Sequence, residues 1–275
     1  MSLFVQTNLT SLKAQENFSK TEVQLGKTMQ KLSSGYKINS AADDAGGLGA
    51  SMRLKSQLGS YTAATQNANT AIAMTQTADG GASQISDILT RLSQLAVEGA
   101  SGTLSTADSA NLDQEFQAQL TEITNIAANT TYNGTSLLSG SAAATTFQVG
   151  IGTSSSDAVS VSFGGADASG LGLSGNVLTA GGAATAMTQI KSAIDLLSGI
   201  RAGFGAGMNA LADTVSNLGS MSTNTAGALS AIQDVDVAAT TAQLSQQQVM
   251  SQAGEAILAQ ANQMPQLAVS LIHNQ

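Results

Sequence analysis

Ile190, Ile194, Leu197, Arg201, Phe204, Met208, Leu211, Val215, Leu218, Ser222, Thr225, Leu229 and Ile232 are separated alternately by four and three residues. Only Arg201, Ser222 and Thr225 interrupt the apolar stripe. A period of 3.5 held this long places one helical face against a partner helix throughout, as in a coiled-coil seam. The 43 residues from Ile190 to Ile232 at ~1.5 Å each predict a rod of roughly 60 Å. A compact domain rarely needs so long a helix.

Shorter stripes recur upstream. Ile85, Ile88, Leu92 and Leu95 form one; Leu112, Phe116, Leu120, Ile123 and Ala127 another; Phe18, Leu25, Met29 and Leu32 a third. Near the end, Met250, Ile257, Met264 and Leu271 are spaced by seven, with Ala261 and Ala268 beside them. Any one stripe would also suit a bundle core. Together they predict a mainly α fold of long antiparallel helices forming a coiled-coil rod. Ser139 to Gly182 differs in character. TTFQVGIG (145–152) and AVSVSF (158–163) alternate polar and apolar residues around a TSSSD turn, which predicts a small inserted β-hairpin. Asn133-Gly134 predicts a further turn. Gly203, Gly205 and Gly207 inside the long stripe mark either joints or close approach. Pro265, lacking an N–H, predicts a bent or loosened terminal helix.

Composition narrows the function. Aromatic residues are 3% and charged residues 10% of the chain, against about 25% charge in typical domains. A polar but uncharged surface packs without desolvating many ions, which favours assembly. The net charge of −8 argues against nucleic-acid binding, which needs a basic patch. Between Lys13 and Lys55 there are seven basic and four acidic residues, a net +3, whereas Ala202 to the end carries four acids and no base. That asymmetry suits solvated faces, or ends lying side by side. There is no cysteine, so no disulfide is expected. No cleavable signal opens the sequence, and no apolar run of 18 residues predicts a membrane span.

Catalytic sets are nearly absent. The single histidine, His273, lies three residues from the end, where chains fray. Cys–His and Ser–His–Asp sets cannot be built on fixed elements, and no cofactor or metal is expected. Adjacent Asp43 and Asp44 diverge by about 100° on a helix, which predicts capping or polar-contact roles. Gly170, Gly172 and Gly175 spell G-x-G-x-x-G, yet lack the strand before and helix after that a dinucleotide fingerprint requires.

Four segments carry a resemblance. LSSGYKINSAADDAGGLGAS (32–51) is very similar to the bacterial flagellin signature L-S-S-G-x-[RK]-I-N-S-A-x-D-D-A-A-G-L. QAGEAILAQANQMPQLAVSL (252–271) resembles the family's C-terminal Q-A-x-x-x-[LM]-L-A-Q-A-N-Q-x-P-Q. NLTSLKAQENFSK (8–20) and LTRLSQLAVEGASGT (89–103) resemble two further family segments. The resemblance covers most of 1–138 and 185–275.

It implies a subunit of the flagellar filament. Mapped onto this chain, 1–40 and 233–275 become the helices of an inner-tube domain. Residues 41–138 and 185–232 become the helical parts of an outer-tube domain, with 139–184 a hairpin and loop insert in place of variable outer domains. Leu9, Leu12, Phe18, Leu25, Met29, Leu32, Met250, Ile257, Met264 and Leu271 are the expected self-assembly residues. In a lone subunit these terminal stripes lack enough neighbours and are expected to be largely disordered. Implied partners are further copies of the chain, the flagellar cap and hook-junction proteins, and an export chaperone on the C-terminal segment. Export through the flagellar type III apparatus to the extracellular filament is implied as well. In some flagellins the LTRLSQLAV segment meets a vertebrate Toll-like receptor. The matching positions are Arg91, Leu95 and Glu115, but Ser93, Gln94 and Gln119 depart from the family's pattern, leaving that recognition open. An inter-subunit polar contact is the simpler role for Arg91. A hook–filament junction protein has similar termini and is the nearest rival. A protease-bearing flagellin lacks room in the insert and lacks H-E-x-x-H; an adhesin would rest on the Ser/Thr-rich hairpin alone.

Overall fold

The computed structural model describes the backbone of residues 7–140 and 144–273 and the side chains up to Gln263. Among the described residues are five α-helices and two short β-hairpins: α1 (Leu9–Ser34), α2 (Ala45–Gly99), α3 (Thr106–Asn129), β1 (Thr131–Tyr132), β2 (Thr135–Ser136), β3 (Thr145–Gln148), β4 (Ala158–Val161), α4 (Ala180–Gln233) and α5 (Val237–His273). They form two compact units, one of residues up to Ser56 and from Asn224 onward, the other Gln57–Thr223.

In the unit of residues 57–223, the predicted stripes form the core. Ile190, Leu197, Phe204, Leu211 and Leu218 are buried along α4, and Ile85, Leu92 and Leu95 along α2. Ile194 is exposed instead, and buried Ala193 takes its place on the inner face. Arg201 interrupts the stripe without loss, because its guanidinium meets Asp79 of α2 at 2.7 Å. A capping box at Ser105 and Asp108 starts α3, which buries Phe116, Leu120, Ile123 and Ala127.

The seam of α2 is longer than its large residues indicate. Tyr61, Ala64, Ala68, Ala71, Thr75, Ala78, Ala82, Ile85, Leu89, Leu92 and Ala96 alternate in steps of three and four, and all are buried. Ala and Thr fill seven of these eleven positions, so a search for large apolar side chains finds mainly its C-terminal part.

β3 and β4 pair antiparallel, with Phe147 opposite Val159 and Thr145 opposite Val161. The predicted hairpin is thus present, with shorter strands. Asn133 and Gly134, at φ 50° and 79°, turn β1 into β2, the left-handed pair that a tight hairpin turn requires. The segment after β4, read from sequence as loop, is tucked down: Phe163, Ala166, Leu171, Leu173 and Val177 are buried in the core. Phe163 lies 5.7 Å from Phe204, centroid to centroid. Of the α4 glycines, Gly207 marks close approach: a Cβ there would lie 3.1 Å from Val161 of β4. Gly203 and Gly205 have open space, and α4 runs through all three.

Candidate self-assembly surface

The other unit is built on a turn, a bridge and a helix pair. Gly35, at φ 74°, ends α1 in the left-handed conformation that glycine tolerates. The following backbone pairs with the link before α5. Lys37 N–H donates to the Gln233 carbonyl at 2.7 Å, and Val235 N–H to the Gly35 carbonyl at 3.0 Å. Asp236 caps α5 by accepting from the Ala239 N–H at 3.0 Å. This bridge sets the C-terminal end of α1 beside the N-terminal end of α5, so the two helices pack antiparallel.

The Leu32–Ser51 stretch is held by its own polar groups. Asp43 Oδ2 accepts from the Asn39 and Ser40 N–H groups at 3.2 and 2.9 Å and from the Ser40 hydroxyl at 3.0 Å. Those bonds, led by the Ser40 N–H, hold the Asp43 carboxyl below its ordinary range. Asp44 accepts from the Gly47 N–H at 2.9 Å at the start of α2. Gly47 leaves room for two side-chain ends, since a Cβ there would displace the Asp44 carboxylate and lie 2.6 Å from Ile38 Cδ1.

Along α1, Ser11, Ala14, Phe18, Thr21, Leu25, Thr28 and Leu32 are buried or half-buried, in alternating steps of three and four. Along α5, Thr240, Leu244, Gln247, Ser251, Gly254, Leu258 and Ala261 repeat the pattern. Two heptad faces of mostly small residues thus meet. Phe18 fills the space over Gly254, where a Cβ would lie 3.0 Å from its Cδ2. Polar bonds fix the register. Asn8 donates to the Ala261 carbonyl at 2.8 Å, Ser11 to Asn262 Oδ1 at 2.7 Å and Ser251 to Glu22 Oε1 at 2.7 Å.

The expected assembly residues divide into two sets. Phe18, Leu25 and Leu32 are half-buried in this intrachain seam. Leu9, Leu12, Met29, Met250 and Ile257 are exposed and point away from it, Leu12 at 66% and Ile257 at 58%. The seven-residue spacing of Met250 and Ile257 is therefore that of a second stripe, one residue before the seam positions Ser251 and Leu258. Val23 and Val249 extend the exposed apolar set; their isolation in sequence hid them. Met264 and Leu271 fall in α5, but their side chains lie outside the described residues.

The suggested receptor positions fare differently. Arg91 Nη2 meets Glu115 Oε1 at 2.6 Å, joining α2 to α3. The pair is intrachain, and both side chains stay nearly half exposed. Leu95 is fully buried, so its side chain belongs to the core and offers no surface. Among the described residues no cluster of His, Asp or Glu could hold a metal ion, and no helix is long and apolar enough to cross a membrane.

Comparison with known proteins decides the family. The model of the bacterial flagellin N-terminal helical region matches residues 5–143, and that of the C-terminal helical region matches 187–272. The chain belongs to the bacterial flagellin family. The flagellin of Listeria monocytogenes is 33% identical over 98% of this chain and 99% of its own length. That of Halalkalibacterium halodurans is 33% identical over 98% of this flagellin and all of its own length. The crystal structure of Bacillus cereus flagellin matches 60% of the chain and 94% of its own at a TM-score of 0.50 and 30% identity. This flagellin is accordingly a structural subunit of the flagellar filament, and the hook–filament junction reading is not favoured.

Proposed function

We propose that this flagellin polymerises through the outer faces of α1 and α5, with Leu9, Leu12, Met29, Met250 and Ile257 as the apolar contacts between copies. Met264 and Leu271 continue the same spacing and are assigned to it. One observation carries the reading: the helix pair encloses Phe18, Leu25 and Leu32 in its seam and still leaves Leu9, Leu12, Met29, Met250 and Ile257 facing water. Each Leu, Ile or Met well buried on assembly contributes roughly 1.5–3 kcal/mol. Repeated head-to-tail contacts of this kind give an open helical polymer and not a closed ring. Family resemblance assigns 1–40 and 233–275 to an inner-tube domain of such a filament and 41–138 and 185–232 to an outer-tube domain.

Family resemblance supports the remaining assignments. Export proceeds through the flagellar type III apparatus to the extracellular filament, an export chaperone holds the C-terminal segment, and the cap and hook-junction proteins are the terminal neighbours. Innate-receptor recognition, if present, rests on Arg91 and Glu115 without the Leu95 side chain. The role is structural, without catalysis.

Seeded elongation tests the assembly surface. Leu12→Ser and Ile257→Ser change exposed positions, so subunit folding is retained while elongation of short filament seeds falls. Elongation at the wild-type rate by the double variant, followed by electron microscopy, would reject the surface.

A further inference from the structure

All the sulfur of this chain is methionine: there are nine, and no cysteine. There is no tryptophan either, so the thioethers meet an oxidant without competition from a thiol or an indole. Their exposure differs sharply. Met74 is packed into the core of the unit of residues 57–223 at 8% exposed, whereas Met29 and Met250 are open at 51% and 44%.

Position separates these two from the other open methionines. Met29 lies on α1 and Met250 on α5, both turned away from the seam between the helices. The same outward set contains Leu9, Leu12 and Ile257, hydrocarbon side chains that a mild oxidant leaves unchanged. Met52, Met187 and Met221 are open as well, but they belong to α2 and α4. Among the described side chains, the outward apolar set of the α1–α5 pair thus offers two oxidisable atoms, the Met29 and Met250 sulfurs.

We propose that Met29 and Met250 are oxidation sites through which a peroxide switches the assembly surface off. The proposal rests on the self-assembly reading above. Peroxide transfers one oxygen atom to the thioether: its O–O bond breaks, an S–O bond forms, sulfur gives up two electrons, and the reduced peroxide leaves as water. The product sulfoxide is a polar acceptor on a side chain that was apolar. In a dispersed subunit that oxygen stays hydrated. On assembly it loses its water among hydrocarbon side chains, which is destabilising. A subunit is therefore vulnerable before it adds to a filament and protected afterwards. Sulfoxides are reduced back by methionine sulfoxide reductases, so the switch is reversible.

The test uses hydrogen peroxide on wild-type chain, on Met264→Leu and on the triple variant Met29→Leu, Met250→Leu, Met264→Leu. Leucine keeps the apolar bulk and removes the sulfur, and Met264→Leu accounts for the sulfur that shares the Met250 spacing. Each chain is compared with its own untreated sample. Oxidation should raise the concentration needed for seeded elongation roughly tenfold for wild type and Met264→Leu, equivalent to ~1.4 kcal/mol, and by less than about twofold for the triple variant. Mass spectrometry should find Met29 and Met250 oxidised in the dispersed wild-type subunit and unmodified in filaments treated alike. Reductase treatment should restore elongation. An oxidised triple variant that fails as the wild type does overturns the proposal, as does resistance in Met264→Leu alone or equal oxidation in subunit and filament. Loss of helical circular dichroism on oxidation would overturn it too, by tracing the defect to folding. Failure of untreated wild-type chain to elongate would instead reject self-assembly itself.

Discussion

The ring of Phe18 on α1 lies over Gly254 on α5, so close that a Cβ at position 254 would come within 3.0 Å of Phe18 Cδ2. This contact sits midway along a seam that otherwise contains mainly Ser, Thr, Ala and Gln. A glycine at this point trades about 1 kcal/mol of helix propensity for the only aromatic contact in the pair. Gly254→Ala should therefore be nearly neutral, its helix gain offset by a small displacement of Phe18. Gly254→Leu should destabilise the pair by about 1–3 kcal/mol through overpacking. Thermal unfolding followed by amide exchange in α1 and α5 measures both.

Asp43 makes the loop before α2 acid-sensitive. Its folded-state pKa is lowered by hydrogen bonds from Ser40 and Asn39. A depressed carboxylate contributes order above its unfolded pKa, about 3.9, and loses it as pH falls through the lower folded value. Amide exchange at Asn39 and Ser40 should stay slow above about pH 4 and accelerate below it. Asp43→Asn should remove that pH dependence and leave α3 unaffected.

Arg201 and Asp79 form a two-pronged pair, at 2.7 Å and 3.4 Å, with side chains about a third exposed. Solvent reaches the pair, so its coupling should be small, about 0.5–1 kcal/mol. A double-mutant cycle of Arg201→Ala and Asp79→Ala, read by thermal unfolding, should return a value in that range. A much larger coupling would mean that the pair is effectively shielded from water.

Arg91 and Leu95 are one helical turn apart and should respond to very different extents. Leu95→Ala removes a fully buried side chain and should cost about 2–5 kcal/mol. Arg91→Ala breaks an exposed ion pair with Glu115 and should cost less than about 1 kcal/mol. A receptor-binding defect in Leu95→Ala that disappears when folded protein alone is assayed would confirm that its role is internal.

Large, regularly spaced side chains made the architecture legible. The Ile190–Ile232 stripe, the Leu112–Ala127 stripe and the TTFQVGIG/AVSVSF pair each became the element expected. The cap that Asp44 gives α2 and the loop contacts of Asp43 follow from residue type. Small residues hid the rest. The Tyr61–Ala82 seam of α2 and the Ser11–Leu32 seam of α1 are periodic in Ala, Ser and Thr, whose spacing carries little hydropathy signal. That is why Met250 and Ile257 stood out as the contact face, although Ser251 and Leu258 meet α1. Leu95 belongs both to an apolar stripe and to a segment resembling an epitope, and only the tertiary partner settles its burial.

The two terminal helices are seated on each other through a seam of mostly small and polar residues around Phe18, while Leu9, Leu12, Met29, Met250 and Ile257 face outward. Hydrogen–deuterium exchange of the same chain, once as dispersed subunit and once as filament, tests this most directly. Amides of 9–34 and 237–263 should exchange far faster than those of α3 in the subunit, then slow by orders of magnitude in the filament. Equal protection of these segments in both states would contradict the account.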